Sequence, residues 1–282
     1  MQPIRFDMPV SSRGFTLIEA VIVIAITGII AGIVAVFIRA PVQAYFDSAR
    51  RAEMADIADT ALRRMARDVR LALPNSVRVF SPDGVTFYLE FLQTRSGARY
   101  RQDDTCFAAG CNSLTTFGSI TPEVAITVNS DRVAIYNQYN NEAGGCGPTD
   151  PSAYCGNNTA LITSVTDTAN EDVINFALTP FPHASPANRM QIIEGPVSYV
   201  CTPGAGGTGT LRRYWGYAIT PAQPTAFGGA PSALLATRVS GCAINYAPGI
   251  TERGGLLNMS LSLEQTSETV SLQNQVHVNN VP

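Results

Sequence analysis

Two histidines, His183 and His277, are the whole imidazole supply of this chain, and all 19 of its cationic side chains are arginine. Without lysine there is neither a Schiff-base amine nor the amine of a phosphate-binding loop, so two large groups of enzymes drop out. His183 lies in PFPHASP and His277 in VHVNN, with no Gly-x-Ser-x-Gly elbow in the sequence and no acid at a telling spacing. Both read as structural. The run GAGGTG at 204–209 has the glycines of a phosphate cradle but neither the following lysine nor a strand-turn-helix frame, and reads as a flexible hairpin loop. Asp103, Asp104 and the polar stretch 137–158 offer hard oxygen ligands without an EF-hand pattern. No catalytic residue, metal site or cofactor is expected, and the chain reads as a non-enzyme.

All six cysteines lie beyond residue 100 in surroundings rich in Gly, Asn and Pro, which is how a disulfide framework in an oxidising compartment looks. Zinc is disfavoured because there is no CxxC or HxxxH pair. Many connectivities are open to six cysteines. Proximity favours Cys106–Cys111, Cys146–Cys155 and Cys201–Cys242, the last ending two expected strands and removing about 3 to 4 kcal/mol of unfolded-state freedom. Tyr214, Trp215 and Tyr217 form the densest aromatic group. Strand alternation sets Trp215 opposite its neighbours, which favours core packing on one face over a binding platform.

The elements that must carry these residues follow from patterning. A net charge of −3 and a pI near 5.4 give no basic excess for a phosphate backbone, so no nucleic-acid partner is expected. Strand and helix signals do not alternate, and no period of about 20 to 50 residues repeats, which removes α/β and solenoid architectures.

From Phe15 to Ile38 run 24 positions with one ionisable side chain, enough to cross a hydrocarbon core of roughly 30 Å as a helix. A cleaved secretory signal has a shorter apolar run of about 7 to 15 residues ending at small residues. Here Ser11, Ser12 and Gly14 precede the apolar stretch, so cleavage there leaves the helix on the mature chain. Arg5 and Arg13 before the span, against Arg39 after it, favour a cytoplasmic N-terminus. Glu19 is the anomaly, since an unpaired acid central in lipid costs roughly 2.5 to 3.5 kcal/mol. Cleavage after Gly14 would create an α-amine on Phe15, about 6 Å along the helix axis from Glu19, and an amine on this or a neighbouring copy would neutralise it.

RGFTLIEAVIVIAITGIIA resembles the class III signal of type IV prepilins and type II secretion pseudopilins: a basic leader ending in Gly, then Phe, a glutamate four residues on, and a long apolar run. Gly14, Phe15 and Glu19 fit it one by one. The resemblance implies cleavage between Gly14 and Phe15 and N-methylation of Phe15 by a prepilin peptidase. It also implies that Glu19 guides assembly by meeting the N-terminal amine of the subunit ahead. The implied partners are the peptidase, other minor and major pilins or pseudopilins, the inner-membrane assembly platform and the lipid bilayer. PVSYVCTPGAGGTGTLRRYWGYAI and the late VSLQNQVHVNNVP resemble the larger minor pseudopilins of mannose-sensitive haemagglutinin (MSHA) pilus systems, which are related to the J-type pseudopilins of type II secretion.

Between Val42 and Leu73 apolar residues recur at steps of three and four among Asp, Glu and Arg, an amphipathic helix with one face to pack. Pro41 should kink it and Pro74 end it, giving with the membrane segment a rod of about 90 Å. Gly28 and Gly32 are spaced for a close helix contact or are simply tolerated. Arg63, Arg64, Arg67 and Arg70, interleaved with acids, read as a solvated face. Beyond Pro74, SVRVF, SPDG and VTFYLEFL predict a hairpin, and further strands are predicted at 123–128, 132–139, 159–165, 171–178, 189–194, 197–201, 210–219, 235–244, 256–263 and 268–278.

The expected fold is α+β and type IV pilin-like: a long N-terminal helix, half transmembrane and half amphipathic, packed on an antiparallel β-sheet head with long disulfide-braced loops. Its parts are a leader at 1–14, a transmembrane helix at 15–40, an amphipathic periplasmic helix at 41–73 and a β-rich head at 74–282. The expected setting is a single pass through a bacterial inner membrane with the head in the periplasm, and later a pilus or pseudopilus. The function read from this is a minor pilin or pseudopilin that joins other minor subunits to initiate or cap an MSHA-type type IV pilus. Alternatives are a type II secretion minor pseudopilin and a pilus-tip adhesin binding a surface or glycan.

Overall fold

The computed structural model describes residues 14–101, 107, 110–121, 125–140, 146–147, 150–168, 170–249 and 254–282. Leader residues 1–13, Arg5 and Arg13 among them, and Asp103, Asp104 and Cys106 lie outside the described residues. The chain forms two compact units, residues 1–50 and 51–282.

In the first unit, helix α1 begins at Leu17. Thr16 starts it: the Glu19 amide donates to Thr16 Oγ1 at 3.3 Å and the Ala20 amide to the Thr16 carbonyl at 3.1 Å, so a side-chain oxygen serves an amide that has no partner within the helix. Thr27 Oγ1 donates back to the Val23 carbonyl at 2.7 Å, which satisfies a hydroxyl on an otherwise apolar surface. Every residue from Phe15 to Val42 is exposed, and the segment is long and apolar enough to cross a membrane.

α1 runs to Arg70 without interruption at Pro41. Its close comes three residues before the expected Leu73. The Leu71 and Ala72 amides tighten onto the Asp68 and Val69 carbonyls, and the Leu73 amide turns outward to the Leu92 carbonyl at 2.7 Å. The last turn is therefore ended by a sheet contact before Pro74 can end it.

In the second unit the chain supplies eleven strands: β1 (Arg78–Phe80), β2 (Phe87–Arg99), β3 (Cys111–Thr115), β4 (Arg132–Ile135), β5 (Thr159–Thr168), β6 (Glu171–Thr179), β7 (Arg189–Thr202), β8 (Gly209–Trp215), β9 (Ser232–Ala247), β10 (Gly255–Gln265) and β11 (Glu268–Val278). They pair antiparallel in the order β11-β10-β9-β8-β7-β4-β5-β6-β3, with β2 also on β7 and β1 on β2. β7 is the hub. One of its edges pairs with β2 along its whole length. The other is shared, β4 taking Met190–Ile193 and β8 taking Val197–Thr202, so the sheet forks there.

The buried face of α1, Met54, Ala58, Ala61, Leu62, Met65 and Val69, keeps the three- and four-residue spacing of the sequence and packs on Leu89, Phe91, Tyr199, Leu257 and Leu261. A second cluster built on Tyr100, Ile135, Ile162, Ile174 and Ile192 fills the other branch of the fork. This is the expected α+β architecture: a long apolar-started helix on an antiparallel sheet, with disulfides.

Several strands differ from expectation. The segments 189–194 and 197–201 are one strand, because Gly195 and Pro196 bend β7 without ending it. β3 was not anticipated, and 125–128 carries no strand, while 122–124 lies outside the described residues. β8 stops at Trp215, since Gly216 takes a positive φ of 70°. The glycine loop at 204–209 is clasped rather than flexible: a side chain on Gly207 or Gly209 would run into the Glu264 and Val239 carbonyl oxygens.

Candidate functional site

Gly14, Phe15 and Glu19 stand together at the exposed start of α1. Phe15 is 75% exposed. The Glu19 backbone amide is committed to Thr16, whereas its carboxylate has no partner among the described residues. An unpaired acid central in lipid would cost roughly 2.5 to 3.5 kcal/mol. The side of the helix carrying Gly28 and Gly32 is likewise open.

Farther along, α1 is latched to the head by polar contacts around its buried stripe. Asp68 Oδ2 accepts from the Tyr199 hydroxyl at 2.6 Å and from Arg213 Nε at 2.8 Å. Arg213 also donates to Gln93 Oε1 and lies over the Trp215 ring. At the other end Arg51 meets Glu268 at 2.9 Å and Glu53 meets Arg238 at 3.1 Å; these exposed pairs set orientation more than stability. Burial, with Asp68 next, holds the Tyr199 phenol well above the usual tyrosine range. Arg63, Arg64, Arg67 and Arg70 are exposed, with Arg63 paired to Asp59.

Among the described residues of the head is a buried ion pair whose setting the sequence does not reveal. Arg78 of β1 and Glu90 of β2 face each other at 2.7 Å with side-chain exposures of 1% and 0%. Arg78 also donates to the Pro221 carbonyl at 2.6 Å and the Thr220 carbonyl at 3.1 Å, and lies flat over the Tyr154 ring at 3.6 Å. The second oxygen of Glu90 accepts from the Tyr217 hydroxyl at 2.9 Å, and that hydroxyl shares a further bond with Ser198. Removal from water dominates the proton affinities here. It raises Glu90 above the usual carboxylate value in spite of Arg78, and raises the Tyr154 and Tyr217 phenols. Alternation sets Glu90 on the face opposite Leu89 and Phe91, so nothing in the sequence signals that this charge is buried.

The aromatic group expected at 214–217 splits in two: Trp215 packs on the main core, whereas Tyr214 and Tyr217 share Phe227, stacked at 4.4 Å and edge-on at 5.2 Å, with the Tyr217 hydroxyl in the Glu90 network. His183 and His277 are both exposed, and neither has a hydrogen bond or ion pair among the described residues. Cys146 is bonded to Cys155 across nine residues, and Cys201 of β7 to Cys242 of β9 across 41, tying the two strands that flank β8. Cys111 is disulfide-bonded, and its expected partner Cys106 lies outside the described residues.

Residues 10–35 match the prokaryotic N-terminal methylation motif. No curated protein and no solved structure matches the chain. The motif supports a type IV pilin or pseudopilin subunit, processed by a prepilin peptidase and assembled with other pilins. With the α+β fold it points to a structural subunit, and with the apolar helix it is consistent with an inner-membrane-anchored pilin.

Proposed function

We propose that the chain is a minor pilin or pseudopilin that joins other minor subunits at the start or cap of an MSHA-type type IV pilus. It is cut between Gly14 and Phe15, N-methylated on Phe15, and held by one membrane pass with its head in the periplasm. The observation that carries this reading is the free carboxylate of Glu19 on a fully exposed apolar helix, four residues from the amine that cleavage creates. In lipid that acid needs a cation, and the new α-amine of a neighbouring subunit supplies one at low dielectric, where the pairing is strong. Resemblance of the 196–219 and 270–282 stretches to larger MSHA minor pseudopilins supports the minor role.

The test is intact mass and N-terminal sequencing of the membrane-extracted protein from cells with and without the prepilin peptidase. The expected result is a mature chain beginning at methylated Phe15 only where the peptidase is present. A leader retained in both strains would sink the reading.

A further inference from the structure

The fork in the sheet leaves an opening that assembly through α1 does not use. Between the segments of β7 paired with β4 and β8, residues 194–196 have no strand partner on that edge. Gly195 there takes a φ of 144°, which favours glycine, and a side chain on it would meet nothing within 4 Å. Above this break lies a cleft of about 520 Å³, lined among others by Arg132, Thr159, Glu194, Gly195, Tyr217 and Ile219. That volume falls in the range of small-molecule sites, about 300 to 1,000 Å³.

One wall is held rigid from behind. The Arg78–Glu90 pair spends its outward hydrogen bonds on the Thr220 and Pro221 carbonyls and on the Tyr217 hydroxyl. All three belong to the segment after β8 that lines the cleft. With its hydroxyl taken and its ring packed edge-on to Phe227 at 5.2 Å, Tyr217 lines the cleft with the rest of its ring. A buried ion pair is a weak source of stability, but it fixes a wall well.

Arg132 of β4 lines the cleft from the other branch. Its Nε donates to Thr159 Oγ1 at 3.2 Å, and no carboxylate pairs with it among the described residues. Burial lowers its proton affinity with no acid to offset the loss. The two terminal amino groups of the guanidinium are left for a planar anion, which a carboxylate matches in bidentate fashion.

We propose that this cleft binds a sugar acid, a pyranose ring bearing a carboxylate. Arg132 takes the carboxylate, the Tyr217 ring and Ile219 pack on the C–H face of the sugar, and Glu194 and Thr159 meet its hydroxyls. The glycine floor leaves room for a flat ring and offers no deep hole for a side chain. This binding does not depend on the filament role.

The experiment is calorimetric titration of the full chain, in a detergent without a sugar headgroup, with glucuronate, glucose, acetate and N-acetylaspartate. Glucuronate should bind saturably and at least tenfold more tightly than the other three. Arg132→Gln should weaken it tenfold or more while the melting temperature stays within a few degrees. If Arg132→Gln does not fold, amide shifts of the isotope-labelled wild-type chain decide the matter: glucuronate should move residues 130–132, 194–196 and 216–219. Acetate, glucose or N-acetylaspartate binding as tightly as glucuronate, equal affinity in Arg132→Gln, or no shifts in those segments would each overturn the proposal.

Discussion

Replacing Arg78 by Met leaves Glu90, fully buried, with the Tyr217 hydroxyl as its remaining charge-compensating contact. Removing one partner of a buried ion pair costs about 3 to 5 kcal/mol, because the other charge stays desolvated. The double variant Arg78→Met/Glu90→Leu removes both charges; the Tyr217 hydroxyl keeps its bond to Ser198, and the Thr220 carbonyl loses its Arg78 donor, at about 1 to 3 kcal/mol if water does not reach it. The double variant should therefore be no less stable than Arg78→Met alone, where independent effects would add. Urea melts of the purified full-length chain in detergent, followed by circular dichroism, measure this cycle. The pH dependence sharpens it. Burial holds the Glu90 carboxyl above its ordinary value of 4.5, so between that value and the raised one the folded state binds more protons than the unfolded state. Acidification through this window stabilises the fold through Glu90, and stability falls again as pH rises through the raised value. The stability difference between wild type and Glu90→Gln should thus widen as pH falls toward 4.5. A difference that narrows, or an Arg78→Met cost below about 1 kcal/mol, would refute the reasoning.

Asp68→Asn should cost about 1 to 3 kcal/mol, as expected for lost hydrogen bonds to a charged group, and should lower the Tyr199 phenol from its raised position, read by ultraviolet titration. Replacing Cys201 and Cys242 together by Ser should cost about 4 kcal/mol, against about 2.5 kcal/mol for Cys146 and Cys155, from the loop lengths in the chain-entropy model; equal losses in urea melts would contradict the assignment of Cys201–Cys242 as the longer clamp. In β11 the two-residue turn Thr266–Ser267, both at positive φ, makes Gln265 and Glu268 a hydrogen-bonded pair, so even-numbered residues bond to β10 and odd-numbered amides face outward. Gln273→Pro should then cost less than Asn274→Pro by about 1 kcal/mol or more, and the reverse order in thermal melts would show the register to be wrong. Glu19→Ala should leave cleavage at Gly14 intact while abolishing incorporation into filaments, scored by fractionation of sheared pili.

The sequence carried its clearest information where one element meets a uniform surrounding. The apolar segment is legible because a helix able to cross lipid must obey a single rule over 24 successive residues, and Glu19 stands out against it for the same reason. The buried stripe of α1 is legible because its period belongs to the helix itself. Strand alternation gave most of β1, β2, β5, β6, β10 and β11, whose neighbours are close in the chain. What the linear pattern does not contain is which strands share an edge. Only the folded sheet makes β7 a hub for β2, β4 and β8, opens the cleft at Gly195 where two of those partners diverge, and brings the Tyr217 hydroxyl to Glu90. The Arg78–Glu90 pair reads in sequence as two ordinary charges on neighbouring strands. Its burial is decided by Tyr154 and by the 217–221 segment, far from both strands in the chain, since desolvation is a property of everything packed around a group and not of its neighbours in the chain.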